Sequence, residues 1–289
     1  GFSVASDVSQ QIKGYASDSP YARYLAYDFT AQAMGGAMSL TGNDDTGPLR
    51  AGPTLADTGT GMHCLTGVIA ALIHRKRTGE GQRVEVAMQD AVLSFCRTAY
   101  IDWHLSGRPP GRAGNGARLE HSVPADVYPC RPFGANDYCF VSCETSKHWH
   151  ALATVVGRPE WTSDSRFATA KGRQARRAEI DAALRGWASE RTMHEAHGVL
   201  ARAGVPAAAV MDTADMANDQ YLQDAGAMAT VVHPIRGKMV IPGWPVKLSR
   251  SPVQVVMTAS SGQHTNEVLW EWLGLDEQRL AALKAERVI

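Results

Sequence analysis

Residues 52–92 read GPTLADTGTGMHCLTGVIAALIHRKRTGEGQRVEVAMQDAV, and the succession of periodicities in this stretch decides the fold class. Met62, Leu65, Val68, Ile69, Leu72 and Ile73 recur at helical spacing and form one apolar stripe. His74, Arg75, Lys76 and Arg77 crowd the last turn, where positive charge complements the helix dipole, and Gly79 suits the residue that ends it. QRVEVAM (82–88) alternates as a strand, and QDAVLSFCRTAYIDWHL (89–105) reads as a second helix capped near Asp90. Helix, strand, helix in this order is the grammar of an α/β protein.

Asp57 stands at the mouth of the first helix, between Leu55–Ala56 and the glycines Gly59 and Gly61. Two readings compete for it. As an N-cap its carboxylate would accept backbone N–H bonds two or three residues on. As a reactive carboxylate it would attack an activated acyl group, with the glycines letting substrate come close and free helix-start N–H groups holding an oxyanion. Spacing alone leaves both open.

Outward from this core, QQIKGYA (10–16) reads as the end of a strand turning at Gly14. YDFTAQAMGGAMSLTG (27–42) is helical, broken at Gly35–Gly36 and stopped at Gly42, and 43–53 is a turn-rich loop. The Gly-, Pro- and Arg-rich run 106–124 reads as a linker with a mobile loop. Beyond it lie a hairpin pattern (125–143), helical segments near 146–157, 173–190 and 192–204, and a strand-like 205–213. Residues 236–252 return to strand and turn character, and 262–289 form two helices split at Gly274. The expected organisation is a large domain over 1–108, a linker over 109–119, a small α+β domain over 120–228, and a return to the large domain over 229–289.

Composition narrows the class. Lys plus Arg and Asp plus Glu both number 29, so the basic excess of a nucleic-acid or membrane-surface protein is missing. The five scattered cysteines, without a CxxC pair, are read as reduced thiols of a cytoplasmic protein. No membrane span is expected, and GFSVASDVSQQ at the start lacks the pattern of a signal peptide. His194 and His197 have no third ligand in view and are read as a solvated helix face, as is RQARRAE (173–179), so no metal is expected. His148 and His150 fall on different helix faces; His63 follows Asp57 closely enough to line the same site, with a structural role as the favoured reading. Trp244, Trp270 and Trp272 are read as core or interface residues.

Two stretches, IKGYASDSPYARYLAYDFTAQAMGGAMSLTG and GPTLADTGTGMHCLTGVIAALIHRKRTGEGQRVEVAMQDAV, resemble the core of the class III coenzyme A transferases. AGVPAAAVMDTADMANDQYLQ, IRGKMVIPGWPVKLS and GQHTNEVLWEWLGL resemble that family's C-terminal region, so the likeness runs from about Gln11 to Ile289. It implies a Rossmann-like large domain, present in part, with a smaller α+β domain. It implies transfer of coenzyme A from an acyl-CoA to a small carboxylic acid, no prosthetic group, and an interlocked homodimer. The family's nucleophilic aspartate falls on Asp57. The stretch lining the thiol end of the coenzyme falls on Leu25, Ala26, Tyr27 and Asp28, with Gly59 beside it. Leu25 stands where formyl-CoA transferase has a lysine, which leaves one coenzyme contact open. Gly114 and Gly116 are the nearest candidates for that enzyme's shielding glycine loop.

The family's α-methylacyl-CoA racemases share the fold but use a histidine that would fall on Tyr27, a poor base at neutral pH. Relatives also carry a further N-terminal segment holding most contacts to adenine and phosphates. This chain is therefore expected to be a fragment or the product of a truncated coding region, and as given to bind coenzyme A weakly. An inactive remnant is the reading from outside the enzyme class.

Overall fold

The computed structural model describes residues 7–116 and 122–289, so the first six residues, and 117–121 within the expected linker, lie outside the account. Two compact units divide between Val210 and Met211.

The first unit opens on β1 (Ser9–Lys13), which pairs in parallel with β2 (Arg83–Ala87), Ser9 facing Arg83 and Lys13 facing Ala87. Between them run α1 (Asp28–Met34), α2 (Ala37–Leu40) and the 24-residue α3 (Leu55–Thr78). The break expected at Gly35–Gly36 is present, with Gly36 at φ 92 opening α2. Gly79, at φ 81, closes α3 and donates its N–H to the Arg75 carbonyl (2.8 Å). A parallel pair needs such a crossover, and the fold is α/β as expected.

α3 meets its neighbours through its small residues. Ala56, Thr60, Cys64 and Ala71 are buried, whereas Met62, Leu65, Ile69, Leu72 and Ile73 of the apolar stripe are exposed. Close approach is the reason. A Cβ on Gly67 would lie 2.7 Å from Val84 Cγ1 of β2, and one on Gly59 would strike the Phe95 ring. Cys64 reaches Gln10 of β1 through its thiol (2.8 Å).

After β2 the sequence reading needs correction. The single helix expected over 89–105 is two, α4 (Met88–Phe95) and α5 (Ala99–Ser106), and Ala87 rather than Asp90 caps the first. Arg97 turns back on Ser94, donating Nε to its carbonyl (2.9 Å) and Nη2 to its hydroxyl (2.6 Å). That carbonyl is the one a continuous helix would offer to Thr98.

Beyond the loop, β3 (Ala125–Pro129), β4 (Tyr138–Ser142) and β5 (Ala207–Ala209) form an antiparallel sheet in that order. The helices α6 (Ser146–Val155), α7 (Ala170–Gln174), α8 (Arg177–Ser189) and α9 (Met193–Arg202) accompany it. A gap at Ala175–Arg176 divides the helical run expected over 173–190. The core here is aromatic: Trp149, Trp161 and Phe167 stack at 5.2–5.7 Å between ring centroids. Arg173, buried with them, lies 5.2 Å from the Trp149 ring and donates to the Val123 and Phe167 carbonyls (3.0 and 3.1 Å). A buried guanidinium is tolerable because carbonyls and a ring face replace water.

The second unit comprises α10 (Thr213–Asn218), α11 (Gln220–Asp224), the antiparallel hairpin β6 (Met228–His233) and β7 (Gly237–Pro242), then α12 (Thr265–Leu273) and α13 (Glu277–Ala285). Gly274, at φ 65, ends α12 where the split was expected. Trp244, Trp270 and Trp272 are exposed in this unit. Among the described residues no helix is long and apolar enough to cross a membrane.

Candidate active site

The topology fixes where Asp57 sits. α3 packs along β1 and β2 and ends beside the start of β2, so its N-terminus lies ~36 Å away toward the strands' carboxyl ends. The segment leaving β1 emerges at that same end, which is where open α/β sheets place ligands. Ser17 fastens this segment to β2. Its side-chain and backbone hydrogen bonds hold the Glu85 carboxyl below the usual carboxylate range, and its amide donates at 2.8 Å.

Asp57 is not the N-cap. Thr54 is, and Asp57 is the third residue inside the helix with its side chain exposed. The Thr54 hydroxyl pairs with that of Thr58 (3.1 Å) and caps nothing. The capping group comes from another element. Asp28, the first residue of α1 and buried, accepts from the Ala56 amide at 2.8 Å and the Asp57 amide at 3.4 Å through one oxygen. Its other oxygen accepts from Gln32 Nε2 at 2.7 Å. Gln32, fully buried, also donates to the Pro53 carbonyl (3.3 Å) and accepts from the Ala51 amide (3.0 Å). One carboxylate and one carboxamide thus clamp the loop that delivers Asp57 and the first turn that carries it.

This clamp corrects a second expectation. The Leu55 amide donates to the Pro53 carbonyl (2.9 Å) and the Thr58 amide to the Thr54 carbonyl (3.1 Å), while Asp28 takes the two between. No donor of the first turn is left to hold an oxyanion. The Asp57 carboxylate itself has no hydrogen-bond or ion-pair partner among the described residues.

The other expected residues separate by environment. Leu25 and Tyr27 are exposed, the Tyr27 ring stacking on Phe29 at 5.8 Å, and Tyr27 caps α1. Ala26 packs against Gly14, where any Cβ would strike its own. Gly59 is buried against Phe95. His63 joins the same contact, its ring 5.5 Å from Phe95 and its Nδ1 2.7 Å from the Gly59 carbonyl. Asp28 and Asp57 are the pair that hydrogen bonding brings together.

Gly114 and Gly116 sit in a loop held on two sides. Gly114 donates to the Gly42 carbonyl (2.8 Å), and Arg112 donates to the carbonyls of Asn43 (3.1 Å) and Thr46 (2.7 Å). Asn115 donates to Asp126 (3.2 Å), which pairs with Arg177 at 2.7 Å. Gln32 and Arg112 had no place in the sequence reading. A glutamine between Ala31 and Ala33, one turn after Asp28, was the available signal for the first. An open apolar cavity of about 170 Å³ lies elsewhere, lined by Gly36, Leu40, Tyr100, Trp103 and Pro109 among others, and Asp57 takes no part in it.

The sequence profile of CoA-transferase family III matches residues 8–265. A formyl-CoA:oxalate CoA-transferase of Streptomyces coelicolor is 36% identical over 295 residues, covering 98% of this chain and 71% of that one. One of Escherichia coli is 34% identical over 300 residues, covering 96% and 70%. Among solved structures, a CAIB/BAIF family protein from Brucella suis superposes with a TM-score of 0.77 at 27% identity, over 92% of this chain and 68% of that one. A protein from M. tuberculosis, at 22% identity and a TM-score of 0.71, shares the fold. With its profile matched over most of its length and relatives of this identity covering nearly all of it, the chain belongs to CoA-transferase family III and is a class III CoA-transferase.

Proposed function

We propose that the chain moves coenzyme A between carboxylic acids through covalent intermediates on Asp57. One observation carries the reading: an exposed carboxylate, without a partner among the described residues, stands on a helix start that a buried clamp holds in place. An Asp57 oxygen attacks the donor's thioester carbon, the C–S bond breaks, and coenzyme A leaves as thiolate. The product is an aspartyl–acyl anhydride. The thiolate then attacks the Asp57 carbonyl carbon and expels the donor carboxylate, leaving an aspartyl-CoA thioester. The acceptor carboxylate attacks that carbon, a new anhydride forms, and the thiolate takes the acceptor's acyl group. Asp57 ends as it began, and no proton or electron is left unaccounted for.

The relatives' names make formyl-CoA and oxalate the first donor and acceptor to try. Leu25, Ala26, Tyr27 and Gly59 are proposed to border the coenzyme's thiol end, and Asp28 to act there by holding α3. An interlocked homodimer in the cytoplasm completes the reading. A large domain to 108, joined by residues 109–119 to a small one, is supported by two separate buried clusters, one within 31–96 and one within 123–205. The racemase alternative has no support at Tyr27, which is tyrosine and exposed.

Asp57→Ala and Asp57→Asn in the full-length protein test the proposal. Both are expected to abolish transfer, because neither side chain can attack a thioester. Both are expected to fold, since an acidic residue in the first turn contributes about 0.3–1 kcal/mol. Retained turnover in Asp57→Ala would sink the mechanism.

A further inference from the structure

Glycine is the least helix-favouring residue after proline, and α3 carries three of them beyond Asp57: Gly59, Gly61 and Gly67. Two have a packing reason, Gly59 against the Phe95 ring and Gly67 against Val84. Gly61 has none. It is exposed, and a Cβ built on it would meet nothing within 4 Å among the described residues. Backbone conformation supplies no reason either, because Gly61 lies inside the helix and is not among the glycines at positive φ. The fold alone would favour alanine there.

Gly61 lies four residues after Asp57, one turn along on the same face. Helical side chains lean toward the N-terminus, so any side chain at 61 would lie over the turn that carries Asp57. We infer that Gly61 is a specificity-determining position, whose bareness keeps open the flank of Asp57 that the acyl group occupies. The inference rests on Asp57 being the nucleophile. In the anhydride the acyl carbon is bonded to an Asp57 oxygen, and its substituents must fit beside the helix. A methyl at 61 takes space that a one-carbon acyl group does not use and a longer one does.

The test compares wild type, Gly61→Ala, Gly61→Val and Asp57→Ala in the full-length enzyme. It reads melting temperature, oligomeric state, and kcat/KM with one-, two- and four-carbon acyl-CoA donors. For Gly61→Ala the melting temperature is expected to rise by about 2–4 °C. The oligomeric state is expected to stay that of wild type. Its kcat/KM is expected to fall on the order of tenfold with the four-carbon donor and far less with the one-carbon donor. Gly61→Val is expected to widen that split. Unchanged kcat/KM, or one factor of loss common to all donors, would overturn the inference. A lowered melting temperature or an altered oligomeric state in Gly61→Ala would overturn it too, by making Gly61 a packing glycine. Turnover retained in Asp57→Ala would remove the reading beneath it, and that result is scored on a different variant.

Discussion

Replacing Asp28 by alanine would take the acceptor from the Ala56 and Asp57 amides and leave Gln32 Nε2 with the Pro53 carbonyl alone. Each buried group left unsatisfied costs about 1–3 kcal/mol, so Asp28→Ala is expected to lower stability by roughly 2–4 kcal/mol. Turnover is expected to fall with it, because the turn that aims Asp57 loses its clamp. Asp57→Ala should separate the two effects by losing turnover with little loss of stability. Thermal melts and turnover on both variants check this, and equal melting temperatures for the two would contradict the clamp. That a carboxylate stands near the start of α3 was legible, but its place in the helix was not. The sequence shows a carboxylate at a helix mouth; that Asp28, 28 residues before Ala56, takes the capping role is a long-range contact that spacing cannot reveal. The oxyanion site expected at the helix start fails for the same reason, since its donors go to a residue on another element.

The long regular elements were the readable ones. The end of α3 at Gly79, the strand at 83–87, the break at Gly35–Gly36 and the split at Gly274 all carry local chemistry that survives packing. The break between α4 and α5 was missed because a side chain, Arg97, takes a carbonyl from the backbone, and no propensity encodes that. The apolar stripe of α3 was found, but its exposure was not, because glycine and alanine on the opposite face permit the closer approach. In the three-stranded sheet, burial pushes the Cys139 thiol on β4, and the Cys143 thiol just after it, up to about 12. Unfolded, such thiols ionise near pH ~8.5. The folded state therefore holds their protons more tightly, and this contribution to stability is whole below that pH and lost as pH rises toward about 12. Denaturant unfolding between neutral and strongly alkaline pH is expected to show a smaller alkaline loss in a Cys139→Ala, Cys143→Ala double variant than in wild type. Parallel losses would contradict the assignment.

At the scale of the whole molecule, the start of α3 and the segment leaving β1 meet at one end of the parallel pair. The crossover that joins β1 to β2 returns α3 with its N-terminus toward the strands' carboxyl ends, where the 14–28 segment also emerges. That placement follows from α/β topology and was readable from helix–strand–helix order. The family likeness supplied what topology does not, namely which carboxylate at that end should react. The most direct test is covalent. The full-length enzyme is incubated with acyl-CoA, quenched with hydroxylamine, digested, and its peptides weighed. Hydroxylamine captures an activated aspartyl carbonyl, whether anhydride or thioester, as a hydroxamate. The expected result is a mass increase confined to the peptide containing LADTGTGMH and located at Asp57, present only when acyl-CoA was supplied. Turnover without any such adduct, or an adduct on a different carboxylate, would contradict it.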